Sequence, residues 1–139
     1  MRIFIDSDVI ISSLLSQSGA AYFLLNTSSI QLFISSLSKK ELETVVKRLD
    51  IRSDMLATLI KNNFEVIMLS DSLPKIKKSF RQYVLDANDA HILAGAKAAK
   101  ADFLITYNVK DFKIDKIKKD LGMLTLTPGN FLQYLRSIQ

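Results

Sequence analysis

Five short apolar runs recur along the chain, each separated from the next by a segment with helical character. Ile3-Phe4-Ile5, Gln31 to Ser35 (QLFIS), Phe64 to Leu69 (FEVIML), Asp102 to Thr106 (DFLIT) and Met123 to Leu126 read as buried strands. Between the first two, Val9 to Leu15 and Gly19 to Leu25 fit two short helices or one broken helix. Ser38-Lys39-Lys40-Glu41 has the S-x-x-E form of a capping box and opens a helix to about Leu49. Ser53 to Asn63 is a further helical stretch, and Pro74 to Phe80 a short basic helical turn. Asn88 is placed to cap an alanine-rich helix running to Lys100. Pro128 begins a final helix to about Arg136, where its missing N–H costs nothing.

Alternation of this kind predicts an α/β fold: a three-layer α/β/α sandwich around a central, mostly parallel sheet. Residues 1–139 read as one domain, because four glycines and two prolines leave no linker and no internal repeat is visible. Ligand sites in such sheets lie at the carboxyl ends of the strands.

Composition narrows the class. Apolar residues at 48% and charged residues at 24% exclude disorder, collagen and coiled coil. No apolar run is long enough to span a membrane. The first apolar run is broken by Asp6 and Asp8, unlike a secretory leader, and there is no cysteine. The expectation is a cytoplasmic protein with neither disulfides nor a cysteine-based zinc site. A net charge of +5 is compatible with a polyanionic partner.

The candidate chemistry is carboxylate. Asp6 directly follows the first strand, and Thr106 and Asn108 follow the fourth, with Asp111 close behind. Glu41 lies in the first turn of the helix after the second strand, and Asp86 and Asp89 flank the start of the alanine-rich helix. Adjacent central strands would bring these acids to one edge of the sheet. Crowded carboxylates raise one another's pKa, and a hard divalent cation relieves them. Oxygen donors with no cysteine and one histidine favour Mg²⁺ or Mn²⁺ over Zn²⁺. Such an ion can activate water against a phosphodiester. Structural roles stay open for each acid: Asp6 as a helix cap, Glu41 as half of a capping box, Asp89 as a helix-dipole partner, Asp111 as a turn cap and Asp86 as a solvated loop residue.

Four motifs in order carry a resemblance over nearly the whole chain. They are Phe4-Ile5-Asp6-Ser7-Asp8-Val9; Glu41-Leu42; Asp86-Ala87-Asn88-Asp89-Ala90-His91 leading into Ala101 to Thr106; and Thr106-Tyr107-Asn108-Val109-Lys110-Asp111-Phe112. The sequence resembles a PIN domain, in particular its toxin-like, VapC-type branch. That resemblance implies a metal-dependent endoribonuclease with Asp6, Glu41, Asp89 and Asp111 as catalytic and metal-binding acids. Asp6 and Asp89 would hold the principal Mg²⁺ or Mn²⁺, with Glu41 bound directly or through water and Asp111 supporting a weaker second ion. Ser7, Asp8, Asp86, Thr106 and Asn108 would support the site. The chain departs from the family's commonest pattern at Asn108, where an acid is frequent, and at Asp8, where asparagine is usual. The resemblance also implies an RNA substrate, a small antitoxin protein and a homodimer.

His91 stands two residues beyond Asp89, a spacing that places the two on different helix faces. Lys110, Lys113 and Lys116 belong to a basic run that is either a solvated face or a contact to the RNA backbone. Two other readings are weighed against the nuclease. One is a non-catalytic PIN-like module that binds RNA or protein. The other is a haloacid-dehalogenase-type phosphatase with Asp6 as nucleophile and Asp8 as general acid; in those enzymes the last acid pair follows the threonine strand, whereas here Asp86 and Asp89 precede it.

Overall fold

In a computed structural model describing residues 1–139, the chain begins with β1 (Arg2–Ile5), followed by α1 (Ser7–Leu15) and α2 (Ala20–Leu25). Next come β2 (Gln31–Ser35), α3 (Ser36–Arg48), α4 (Ser53–Asn63), β3 (Phe64–Ile67) and α5 (Leu73–Phe80). The second half contains α6 (Ala90–Ala98), β4 (Phe103–Ile105), α7 (Ile114–Leu121), β5 (Leu124–Leu126) and α8 (Pro128–Ser137). All strand pairs are parallel, in the order β3-β2-β1-β4-β5.

Strand periodicity explains the three layers. Successive side chains point to opposite faces of a strand. Ile3 and Ile5, Leu32 and Ile34, and Phe103 and Ile105 therefore join one core with α1, α2, α3, α4 and α8. Phe4, Phe33 and Leu104 join the other core with α5, α6 and α7. Both faces are buried, so the strands read as continuous apolar runs, and the predicted α/β/α sandwich is the observed one.

Two helix starts differ from the sequence reading. Ser35, the last residue of β2, has extended backbone angles and caps α3: its Oγ accepts from the Ser38 N–H at 3.0 Å and donates to Ser38 Oγ at 3.1 Å. The capping box expected at Ser38 and Glu41 does not form, because the strand runs straight into the helix and the cap falls three residues earlier. Asn88 does not cap the alanine-rich helix either. Asp86 Oδ1 accepts the Asn88 N–H at 2.9 Å and opens a 3-10 turn over Ala87–Asp89, after which α6 begins. The basic run beyond Lys113 forms α7, an extra helix that buries Ile117 and ends at Gly122, whose φ of 65° is the left-handed region.

One glycine fixes how α6 lies on the sheet. A Cβ on Gly95 would stand 2.6 Å from Phe4 Cζ and 3.1 Å from Ser35 Cβ. Only a hydrogen there lets the helix rest directly over β1 and β2. That close seating holds the start of α6, with Asp89 and His91, over the carboxyl ends of the central strands.

Candidate active site

Asp6 is the first residue after β1 and remains on the sheet ladder, its N–H donating to Ile105 O at 2.9 Å. It also caps α1. Its side chain is only 8% exposed, with both oxygens engaged: Oδ1 accepts the Ser7 N–H at 2.7 Å and Oδ2 accepts the Thr106 hydroxyl at 2.8 Å. Thr106 Oγ1 in turn accepts the Asn108 N–H at 3.0 Å. Cap and functional acid are thus the same residue, and β4 supplies the hydroxyl that holds it.

Asp8, on the first turn of α1, reaches the loop after β4. Its Oδ2 accepts the Tyr107 N–H at 3.1 Å and the Asn108 side-chain Nδ2–H at 3.0 Å. Thr106 Oγ1 stands 3.4 Å away, but its single proton serves Asp6 at the shorter distance. Asp8 Oδ1 is buried and has no hydrogen-bond partner.

Electrostatics ties these residues to the others. Burial, followed by Asp8 and with Asp89 adding, pushes the Asp6 pKa from 3.8 up to about 7. The Asp8 carboxyl is also raised, chiefly by burial, against the pull of the Tyr107 N–H and other donors. Asp89 is raised by burial first, then by Asp86 and Asp111, with Glu41 adding and His91 opposing. All the acids singled out in the sequence therefore act on Asp6 or Asp89 across a common field. In the arrangement seen, however, no three acidic or histidine side chains are placed to hold one metal ion.

The remaining candidates fall into place around this cluster. Glu41 is exposed on α3, and its Oε1 lies 3.2 Å from Nε2 of the buried His91. The sequence argument set His91 on a different helix face from Asp89. It does not apply, because Asp89 belongs to the preceding 3-10 turn and α6 starts only at Ala90. Asp86 is exposed and serves as the cap of that turn. Asp111 is half-buried on a 3-10 turn over Val109–Asp111. Ser7 contributes its backbone N–H rather than a hydroxyl contact. Lys110 and Lys113 are exposed and make no ion pair, whereas Lys116 is turned to Asp120 at 3.6 Å and lies over the Tyr83 ring. In the sequence Tyr107 is only a spacer between Thr106 and Asn108. Its N–H holds Asp8 and its ring is 42% exposed beside the cluster.

The chain belongs to the PIN domain family, which matches residues 2–110. That span contains Asp6, Asp8, Glu41, Asp86, Asp89, Thr106 and Asn108. The fold is shared with a toxin–antitoxin complex from Klebsiella pneumoniae, at 25% identity and a TM-score of 0.66, over 91% of this chain and 97% of that one. It is shared also with VapBC2 from Rickettsia felis bound to a promoter DNA fragment, at 17% identity and a TM-score of 0.64, over 91% and 98% of the two chains. A third match is VapC20 of Mycobacterium tuberculosis, a toxin that cleaves the sarcin–ricin loop, at 15% identity and a TM-score of 0.54, over 73% and 86%. No curated protein sequence matches the chain. The family match argues against the phosphatase alternative.

Proposed function

We propose that the chain is a divalent-metal-dependent endoribonuclease and the toxin half of a toxin–antitoxin pair. The observation that carries this reading is the field shared by Asp6, Asp8, Glu41, Asp86, Asp89 and Asp111, acids drawn from four separate stretches of sequence. Such crowding opposes folding unless a cation or a function compensates it. Two features of the residues fit a hard divalent ion: the donors are all oxygen, and one buried carboxylate oxygen, Asp8 Oδ1, has no protein partner. Asp6 and Asp89 would hold Mg²⁺ or Mn²⁺, with Glu41 and Asp111 contributing.

When bound, a divalent cation lowers the pKa of water and offsets charge on phosphoryl oxygens. The protein's own groups do the positioning. Thr106 and the Ser7 N–H fix the Asp6 carboxylate, and the Tyr107 N–H and Asn108 fix Asp8. His91 holds Glu41 against α6. Lys110 and Lys113, free of ion pairs, face solvent where a phosphate backbone can approach the site.

The Rickettsia felis and Klebsiella pneumoniae matches are toxin–antitoxin structures, which supports a small antitoxin as partner here. No helix is long and apolar enough to cross a membrane. A homodimer acting on RNA in the cytoplasm completes the reading. The absence of three acids in ligand geometry favours the second reading, a PIN-like binding module without catalysis.

One experiment separates them. Wild type, Asp6→Asn and Asp89→Asn are purified identically and incubated with a pool of structured RNAs, with Mn²⁺ or Mg²⁺ and against EDTA. Metal-dependent cutting by wild type alone is expected. Equal cutting by all three would mark a contaminant. No cutting, together with no effect of Mn²⁺ on the melting temperature, would leave the binding module.

A further inference from the structure

Arg81 follows directly on α5 and its lysines, yet it makes no ion pair. Its guanidinium turns back onto the chain. Nη1, an amino nitrogen with two N–H groups, donates to the carbonyl oxygens of Val84 at 2.9 Å and Leu85 at 3.2 Å. No backbone N–H takes either carbonyl. The stretch it grips is one half of a small clasp between residues 83–85 and 111–113. The Leu85 N–H donates to Asp111 O at 3.0 Å, and the Lys113 N–H to Tyr83 O at 2.9 Å. Between them Val84 and Phe112 pair as an antiparallel bridge, with both side chains buried. Each half leads directly to candidate acids. Just past Leu85, Asp86 caps the 3-10 turn, and its carbonyl accepts the Asp89 N–H at 3.0 Å. On the other half, the Asp111 N–H closes its own turn onto Asn108 O at 2.9 Å. Asp86 and Asp111 are the two groups that raise Asp89 most after burial.

Like charges brought together on two turns push those turns apart. The inner end of the clasp resists through the buried Val84 and Phe112 and the bond from Lys113 to Tyr83. At the outer end Leu85 and Asp86 are both exposed. There the chain is tied down by the bond from Leu85 to Asp111 and by the Arg81 guanidinium. We propose that Arg81 is a positioning residue: by holding the Val84 and Leu85 carbonyls it sets Asp86 and Asp89 against Asp111, so that the acids entering the site from both turns are placed as one unit. This rests on the metal-dependent nuclease reading. The charge of Arg81 is directed at the chain's own carbonyls and not at a phosphate backbone. Lysine does not replace it, because a flexible point charge lacks the fixed planar donors that span two neighbouring carbonyls.

The test compares wild type, Arg81→Ala and Arg81→Lys, with Lys78→Ala as a control for lost charge. Amide hydrogen exchange is followed by NMR in EDTA, Mn²⁺ binding by calorimetry, and cleavage on one RNA that wild type cuts. Exchange at Leu85 and Asp89 is expected to quicken about tenfold in both Arg81 variants, the effect of one or two lost hydrogen bonds. Lys113, at the buried end of the clasp, should keep its wild-type rate. Mn²⁺ affinity should fall about tenfold, and the Mn²⁺ concentration for half-maximal cleavage should rise to match, with KM for RNA unchanged. Methylguanidinium added to Arg81→Ala should restore part of the rate, and Lys78→Ala should behave as wild type. Wild-type exchange at Leu85 and Asp89 in Arg81→Ala would overturn the inference. So would faster exchange throughout the chain, which marks a general loss of stability. A raised KM for RNA in Arg81→Ala that Arg81→Lys repairs would make Arg81 a phosphate contact and overturn it as well. In each of those cases wild-type cleavage keeps the nuclease reading. A wild type that neither binds Mn²⁺ nor cuts RNA would end that reading and the positioning role with it.

Discussion

Replacing Asp6 by asparagine should make the metal-free protein more stable while abolishing its proposed chemistry. The Asp6 pKa is pushed from 3.8 to about 7 by burial first, then by Asp8. Between those values the folded state keeps a proton that the unfolded chain has released. The folded state binds more protons, so stability falls as pH rises from about 4 to about 7 and is level above. The whole difference is worth on the order of 4 kcal/mol at neutral pH. Asparagine removes the ionisation and keeps the shape. Its Oδ1 accepts the Ser7 N–H, and its Nδ2 donates to Thr106 Oγ1, whose proton then turns to Asp8 Oδ2. If half the penalty is relieved, about 2 kcal/mol at roughly 3 °C per kcal/mol gives a melting temperature some 6 °C above wild type at pH 8 in EDTA. The assay is thermal unfolding of both proteins from pH 4 to 8. The curves should converge near pH 4 and separate upward, and Mn²⁺ should raise wild type but not the variant. A wild-type melting temperature flat across this range, or a variant melting at or below wild type at pH 8, would refute the crowding argument.

Gly95→Ala forces a Cβ to within 2.6 Å of Phe4 and should cost about 1–3 kcal/mol in urea unfolding, lifting α6 off the sheet. Ser35→Ala removes the α3 cap and leaves Ser38 without its buried partner, a loss of about 1–2 kcal/mol by the same measurement. His91→Leu preserves the buried volume but frees Glu41. RNA cleavage should fall about tenfold with the melting temperature changed by only a few degrees, whereas His91→Gln, which keeps an N–H donor, should retain more activity.

Strand positions and the layer arrangement were legible because buried parallel strands show as short apolar runs whatever their neighbours do. Most of the acids were legible as a set because they sit where a strand or helix boundary falls, at the edge where such sheets bind ligands; Glu41 is the exception, since α3 starts at Ser36 and its first turn holds no acid. Local cues failed where tertiary contacts choose between equivalent signals. Ser38 and Ser35 are both plausible caps in sequence, and only the exit angle of β2 selects Ser35. Asn88 and Asp86 compete in the same way, and the 3-10 turn selects Asp86. That turn also changed the geometry of His91, since helical spacing has no meaning across a helix boundary. Asp8 and Asn108 were legible as supporting residues of one site, but their hydrogen bond was not, because 100 residues separate them and only the β1–β4 register sets the contact. A signal did exist: both positions depart from the family's usual residues, in opposite senses.

The bonds from Thr106 to Asp6 and from Asn108 to Asp8 each join residues 100 positions apart. At synthesis rates of about 5–20 residues per second, the first partner leaves the ribosome roughly 5–20 s before the second. During that interval β1 has β2 on one side and an open edge on the other, and Asp6 lacks the hydroxyl that holds it. A growing chain therefore carries the acids without the site. Whatever chemistry they perform is withheld in that growing chain until β4 pairs with β1.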